Sequence, residues 1–112
     1  MVVDDEPMVL RMMAYALQQA GYTVHKASNG PDALALAEGL GKTLDLVVTD
    51  VHMEPIGGPE LASLLYSRGL AARFLFVSRY GPAPDYNDQF GPLLPKPFSP
   101  DRLLEEVANV LT

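Results

Sequence analysis

At 112 residues the chain is sized for one domain whose single hydrophobic core needs no disulfide or metal to fold, and the absence of cysteine excludes disulfides, thiolate metal sites and cysteine nucleophiles together. Its net charge of −6 arises from 14 acids against 8 bases, and the bases lie scattered singly, which argues against a phosphate-tracking surface and so against direct nucleic-acid binding. No apolar run approaches the ~18 residues of a membrane span and no signal-peptide pattern opens the chain, so a cytoplasmic location without membrane contact is expected.

Met1 to Asp4 reads as a short buried strand that runs into three consecutive carboxylates, Asp4, Asp5 and Glu6, stopped by Pro7. Like charges about 4 Å apart repel by roughly 4 kcal/mol at an effective dielectric near 20, so this run calls for a counter-charge. From Pro7 onward Val9, Met12, Met13, Ala16, Leu17 and Ala20 recur on one helical stripe, with Gly21 as the stop. The cluster Met8, Met12 and Met13 is expected to pack into the core, with a partner-facing surface as the alternative use.

Tyr22 to Lys26 is the second predicted strand, and the helix after Gly30-Pro31 carries Ala33, Leu36, Ala37 and Leu40 at helical spacing. Leu44 to Thr49 is the third strand, with Asp50 at its end, and a helix from Gly58-Pro59 follows with Leu61, Leu64 and Leu65. Phe74 to Ser78 and Pro92 to Pro95 complete the strands, and a last helix from Ser99-Pro100 bears Leu103, Val107, Val110 and Leu111. Each helix start has a proline where N1 should fall, losing only an N–H that would be orphaned anyway. Between Ser78 and Lys96 the residues Gly81, Pro82 and Pro84 forbid a long helix, leaving at most a turn near Asp85 to Phe90.

Strands and helices in alternation, joined by short links, imply right-handed βαβ units and an α/β domain built on a single doubly wound, five-stranded parallel sheet. Ligands of such sheets bind outside the carboxyl ends of the strands. Here those ends carry Asp4 and Asp5, Asp50, Ser78 and Lys96. Any one of these acids alone reads as a helix cap or a solvated loop residue. Together they form an oxygen-only ligand set that suits Mg²⁺ (or Mn²⁺) beside a phosphoryl group. The chemistry such a set can run is phosphoryl transfer, with Asp50 as the nucleophile that forms an aspartyl-phosphate, Lys96 and the metal stabilising charge on the phosphoryl oxygens, and Ser78 donating a hydrogen bond to the product.

The segments VVDDEP, VVTDVHM with Gly58 eight residues after Asp50, FVS and LPKPF resemble the response-regulator receiver domain of two-component phosphorelays, over essentially the whole chain, 1–112, as one domain. The resemblance implies the flavodoxin-like strand order 2-1-3-4-5. It implies Asp50 as phospho-acceptor, Asp5 as a direct Mg²⁺ ligand, Asp4 as its mostly water-mediated neighbour, and the backbone carbonyl of His52 as a further ligand beside Asp50. It further implies Ser78 as the hydroxyl that turns toward the phosphate, Lys96 as the phosphoryl-contacting lysine, and a cis Lys96-Pro97 bond. The implied partner is a histidine kinase or a histidine phosphotransfer protein, the implied catalysis is limited to the domain's own phosphorylation and dephosphorylation, and the expected state is a monomer or weak dimer.

Several positions depart from the family pattern. Glu54 stands where proline is usual and is read as a solvated loop acid; Leu93 replaces the usual aromatic switch residue; the Ser78 to Lys96 stretch is short, with a shortened or irregular fourth helix. Arg79 and Tyr80 replace small residues after Ser78 and, with His52, are expected to flank the phosphoryl group and limit water's approach. These departures favour a receiver attached to a hybrid histidine kinase over a free-standing regulator, and the short first strand suits a piece of a longer protein. The rival reading is a pseudo-receiver, a protein-binding module that keeps the fold without phosphorylation. A flavodoxin-like FMN binder would need hydroxyls where DDEPM stands, and a haloacid-dehalogenase-type phosphatase a second aspartate where His52 stands.

Overall fold

Period-two alternation along the inner strands sorts the core into two layers, one on each face of a parallel sheet. In the computed structural model, which describes residues 1–81 and 89–112, the elements run β1 (Val2–Val3), α1 (Pro7–Gln19), β2 (Lys26–Ala27), α2 (Gly30–Leu40), β3 (Val47–Asp50), α3 (Gly58–Ser67), β4 (Phe74–Ser78), β5 (Leu93–Pro95) and α4 (Pro100–Leu111). The strands form one sheet in the order β2-β1-β3-β4-β5, every adjacent pair parallel. This is the expected doubly wound architecture and strand order. Val3, Val47, Phe74 and Phe76 pack under α2 and α3, while Val2, Val48, Leu75 and Val77 pack under α1 and α4.

Proline opens α1 and α4 at their first residue, and in α2 and α3 it follows one position later because Gly30 and Gly58 already turn with the helix. Asn29 caps α2 by accepting from the Asp32 N–H at 2.8 Å, and Ser99 caps α4 by accepting from the Arg102 N–H at 3.1 Å. Among the described residues no helix is long and apolar enough to cross a membrane.

Four expectations need correction. Strand β2 is Lys26–Ala27 and not Tyr22 to Lys26: β2 is an edge strand whose one neighbour, β1, is two residues long, so the ladder has nothing to extend against. Strand β3 begins at Val47, and Leu44 makes only an isolated bridge to Ala71. Of the methionines, Met13 is buried and Met12 half-buried, but Met8 is 82% exposed because its position falls off the apolar stripe. Ala20 is exposed as well and serves as the C-terminal cap of α1. The turn expected near Asp85 to Phe90, and with it the irregular fourth helix, falls largely on 82–88, outside the described residues. The Lys96-Pro97 peptide is cis as expected, and Glu54-Pro55 is cis as well.

Candidate functional site

Because all five strands run the same way, their carboxyl ends share one edge of the sheet, and the groups that end them converge. Asp4 follows β1 and Asp50 closes β3, both buried, while Asp5 is exposed. One oxygen from each of these three carboxylates lies within 4.8 Å of the others. Asp4 Oδ1 accepts from the Glu6 N–H at 2.9 Å, and Asp50 Oδ1 accepts from the His52 N–H at 3.3 Å. Gly58 holds the loop after Asp50 close, since a Cβ there would stand 2.3 Å from the Asp50 carbonyl oxygen.

Lys96, the residue after β5, is buried and shared among three carboxylates: its Nζ lies 2.9 Å from Asp4 Oδ2, 2.8 Å from Glu6 Oε1 and 3.4 Å from Asp50 Oδ2. The far oxygen of Glu6 takes the guanidinium of Arg79 at 2.8 Å. Ser78 ends β4 at this edge, but its hydroxyl donates to the Gly81 carbonyl at 2.6 Å and accepts from the Tyr80 N–H at 3.2 Å. Gly81 sits at φ +84°, a left-handed turn that brings its carbonyl back to both Ser78 and the His52 ring, whose Nε2 is 3.0 Å away. His52 and Tyr80 meet edge-on with centroids 5.8 Å apart. Asp5, Glu6, Asp50, His52, Arg79, Tyr80 and Lys96 line a pocket of about 280 Å³. A larger cavity, about 550 Å³ at the opposite edge around Val24, Leu46 and Val107, has one acid in its lining, Asp45, and no comparable chemistry.

The electrostatics of the acidic pocket are unbalanced. Burial, and then the charge of Asp4, push the Asp50 carboxyl up to about 6 against the pull of Lys96. Burial likewise raises Asp4 above the usual carboxylate range. Burial alone would lower Lys96, but its contacts with Glu6, Asp4 and Asp50 outweigh that and hold the ammonium firmly charged. Glu6 is lowered, chiefly by its hydrogen bond from Lys96. Among the described residues Asp4 Oδ2 meets the Lys96 ammonium alone, a buried oxygen with spare ligand capacity. Hard anionic oxygens, close together and short of positive charge, fit a hard divalent cation.

Thus Asp4, Asp5, Asp50 and Lys96 come together as the sequence suggests, His52 lines the same pocket, and Ser78 reaches the edge with its hydroxyl committed elsewhere. Glu54 is exposed and stays out of the pocket lining. The bridging of Lys96 and Arg79 by Glu6 was not anticipated.

Over residues 1–108 the chain matches the sequence profile of the response regulator receiver domain. It is 40% identical over 119 residues to the sensor kinase CckA of Brucella abortus, an alignment that covers 99% of this chain and 12% of that protein. It is 30% identical over 121 residues to the alkaline phosphatase synthesis transcriptional regulatory protein PhoP of Bacillus subtilis, covering 99% of this chain and 47% of that protein. The chain therefore spans less than half the length of either relative. Among solved structures, the receiver domain of the hybrid histidine kinase CckA superposes with a TM-score of 0.83 at 35% identity, covering 99% of this chain and 96% of that chain. The chemotaxis response regulator CheY4 of Vibrio cholerae superposes with a TM-score of 0.79 at 28% identity, covering 98% and 95%.

Proposed function

The chain belongs to the response regulator receiver domains of two-component systems, and from that premise we propose that it accepts a phosphoryl group from a phosphohistidine onto Asp50. The single observation that carries the reading is the meeting of three aspartate oxygens within 4.8 Å, beside one buried lysine, at the carboxyl edge of the sheet.

In the reaction an ionised Asp50 oxygen attacks phosphorus. The new O–P bond forms as the P–N bond of the phosphohistidine breaks, and that bond's electron pair stays on the imidazole nitrogen. Asp50, with its carboxyl near 6, is ionised at neutral pH and has no proton to lose. Lys96, 3.4 Å from Asp50 Oδ2, is placed to contact a phosphoryl oxygen. Asp4, Asp5, Asp50 and the backbone carbonyl of His52 are the groups that would hold Mg²⁺ or Mn²⁺, whose chemistry there is to neutralise charge on the phosphoryl oxygens. The product carries about −2 of charge where the carboxylate carried about −1, and three acceptor oxygens, which gives the Ser78 hydroxyl reason to leave the Gly81 carbonyl and so to shift the loop after β4.

The whole chain would act as one receiver, served by a histidine kinase or a histidine phosphotransfer protein and attached, as in the kinase relatives it resembles, to a hybrid histidine kinase. It performs no turnover beyond its own phosphorylation and dephosphorylation. Incubation with a small phosphodonor and Mg²⁺, followed by intact-mass analysis, tests the reading. The protein is expected to gain one phosphoryl unit, to gain little in EDTA, and to gain none as Asp50→Asn. An unmodified wild type, or equal uptake by Asp50→Asn, would overturn it.

A further inference from the structure

Glu6 continues the acidic run of Asp4 and Asp5, yet its contacts differ from theirs. Its carboxylate is divided between two cations, Lys96 on Oε1 and Arg79 on Oε2, each at 2.8 Å. Both cations line the pocket that contains Asp50, and Lys96 is already within 3.4 Å of Asp50 Oδ2. Glu6 is set in place from its backbone, whose N–H donates to Asp4 Oδ1 at 2.9 Å. An internal carboxylate therefore engages the same two cations that an anion on Asp50 would draw.

We propose that Arg79 is a second phosphoryl-binding residue held by Glu6: once Asp50 is phosphorylated, Lys96 and Arg79 exchange the Glu6 carboxylate for phosphoryl oxygens, and Glu6 turns to solvent. The inference rests on Asp50 being the phospho-acceptor. Three observations support it. The Arg79 and Glu6 side chains are 51% and 39% exposed, and ion pairs in that setting are weak and easily traded. A phosphoryl group offers three strong acceptor oxygens and more charge than a carboxylate, and the guanidinium fork matches that geometry better than it matches one oxygen of Glu6. Among the described residues the site also holds four acids, Asp4, Asp5, Glu6 and Asp50, against the two cations Lys96 and Arg79, so even with a divalent cation bound a phosphoryl group competes with Glu6 for both. Arg79 then favours the phosphorylated state, and Glu6 opposes it as a built-in competitor.

The test uses the 112-residue protein at saturating Mg²⁺ and reads two quantities: affinity for beryllium fluoride, a phosphoryl mimic, and the lifetime of phospho-Asp50. Arg79→Gln is expected to weaken beryllium fluoride binding by about tenfold, the worth of a charge-assisted hydrogen bond, and to shorten the phosphoryl lifetime. Arg79→Lys should restore most of the loss. Glu6→Gln should tighten binding several-fold, and the gain should shrink in the double variant Glu6→Gln/Arg79→Gln. Mg²⁺ alone, titrated by calorimetry, should bind Arg79→Gln as it binds wild type, and thermal unfolding without phosphodonor should be little changed. Unaltered affinity and lifetime in Arg79→Gln, or weaker binding in Glu6→Gln, would overturn this proposal while leaving the phospho-acceptor reading standing. A wild type that neither binds beryllium fluoride nor takes up phosphate would overturn both.

Discussion

Replacing Asp50 by asparagine should stabilise the metal-free protein at neutral pH, even though it removes an ion-pair partner of Lys96. The Asp50 carboxyl is raised from 3.8 to about 6, by burial first and by the neighbouring Asp4 second, with the attraction of Lys96 already included. The sign follows from linkage. Below the unfolded value the group is protonated in both states and exerts no effect. As pH rises toward 6 the unfolded chain ionises while the folded one keeps its proton, so stability falls, and above 6 the full cost is present. A rise of about two units corresponds to roughly 3 kcal/mol at neutral pH, taken as an upper figure. Asparagine keeps the size of the side chain and an oxygen to accept from the His52 N–H, and it carries no charge. For a domain of this size the gain corresponds to roughly 10 °C in Tm. Thermal unfolding followed by circular dichroism in EDTA should show that difference at about pH 7.5 and little of it at about pH 4. An Asp50→Asn protein no more stable than wild type at the higher pH, or stabilised equally at both, would refute the electrostatic reasoning.

Magnesium should reverse the imbalance: at about a hundredfold excess over its Kd it should stabilise wild type by about 2.7 kcal/mol, and Asp5→Asn or Asp50→Asn far less, read as shifts in Tm. Lys96→Met strands Asp4 and Asp50 without their buried cation and should cost about 3–5 kcal/mol in urea unfolding at neutral pH. Gly58→Ala places a methyl 2.3 Å from the Asp50 carbonyl oxygen, so about 1–3 kcal/mol of stability should be lost, and phosphoryl uptake should slow because the backbone at Asp50 must shift.

The sheet and its order were legible because short apolar runs alternate with prolines and helical stripes, and a parallel sheet then follows from connection rules. The limits of β2 were not, because an edge strand extends only as far as its neighbour, and the length of that neighbour is a tertiary fact. The convergence of Asp4, Asp5, Asp50 and Lys96 was readable for a geometric reason: residues at the ends of parallel strands share one edge wherever they fall in the sequence. The contacts of Glu6 were hidden because they join residues 73 and 90 positions apart through long side chains whose rotamers no spacing determines. The turning of Ser78 toward Gly81 had a faint signal in the glycine itself, but the direction of a hydroxyl depends on the positive φ that the turn adopts. Met8 illustrates the opposite error, a residue grouped with its neighbours in sequence although helical period places it outside the stripe.

The most direct test identifies the residue that carries the phosphoryl group. After treatment with a small phosphodonor and Mg²⁺, borohydride reduction converts an aspartyl-phosphate to homoserine, which tandem mass spectrometry locates in the sequence. Homoserine at position 50, and at neither position 4 nor position 5, is the expected result. Homoserine at either of those two positions instead, or at no position in a protein that stays folded, would contradict the account.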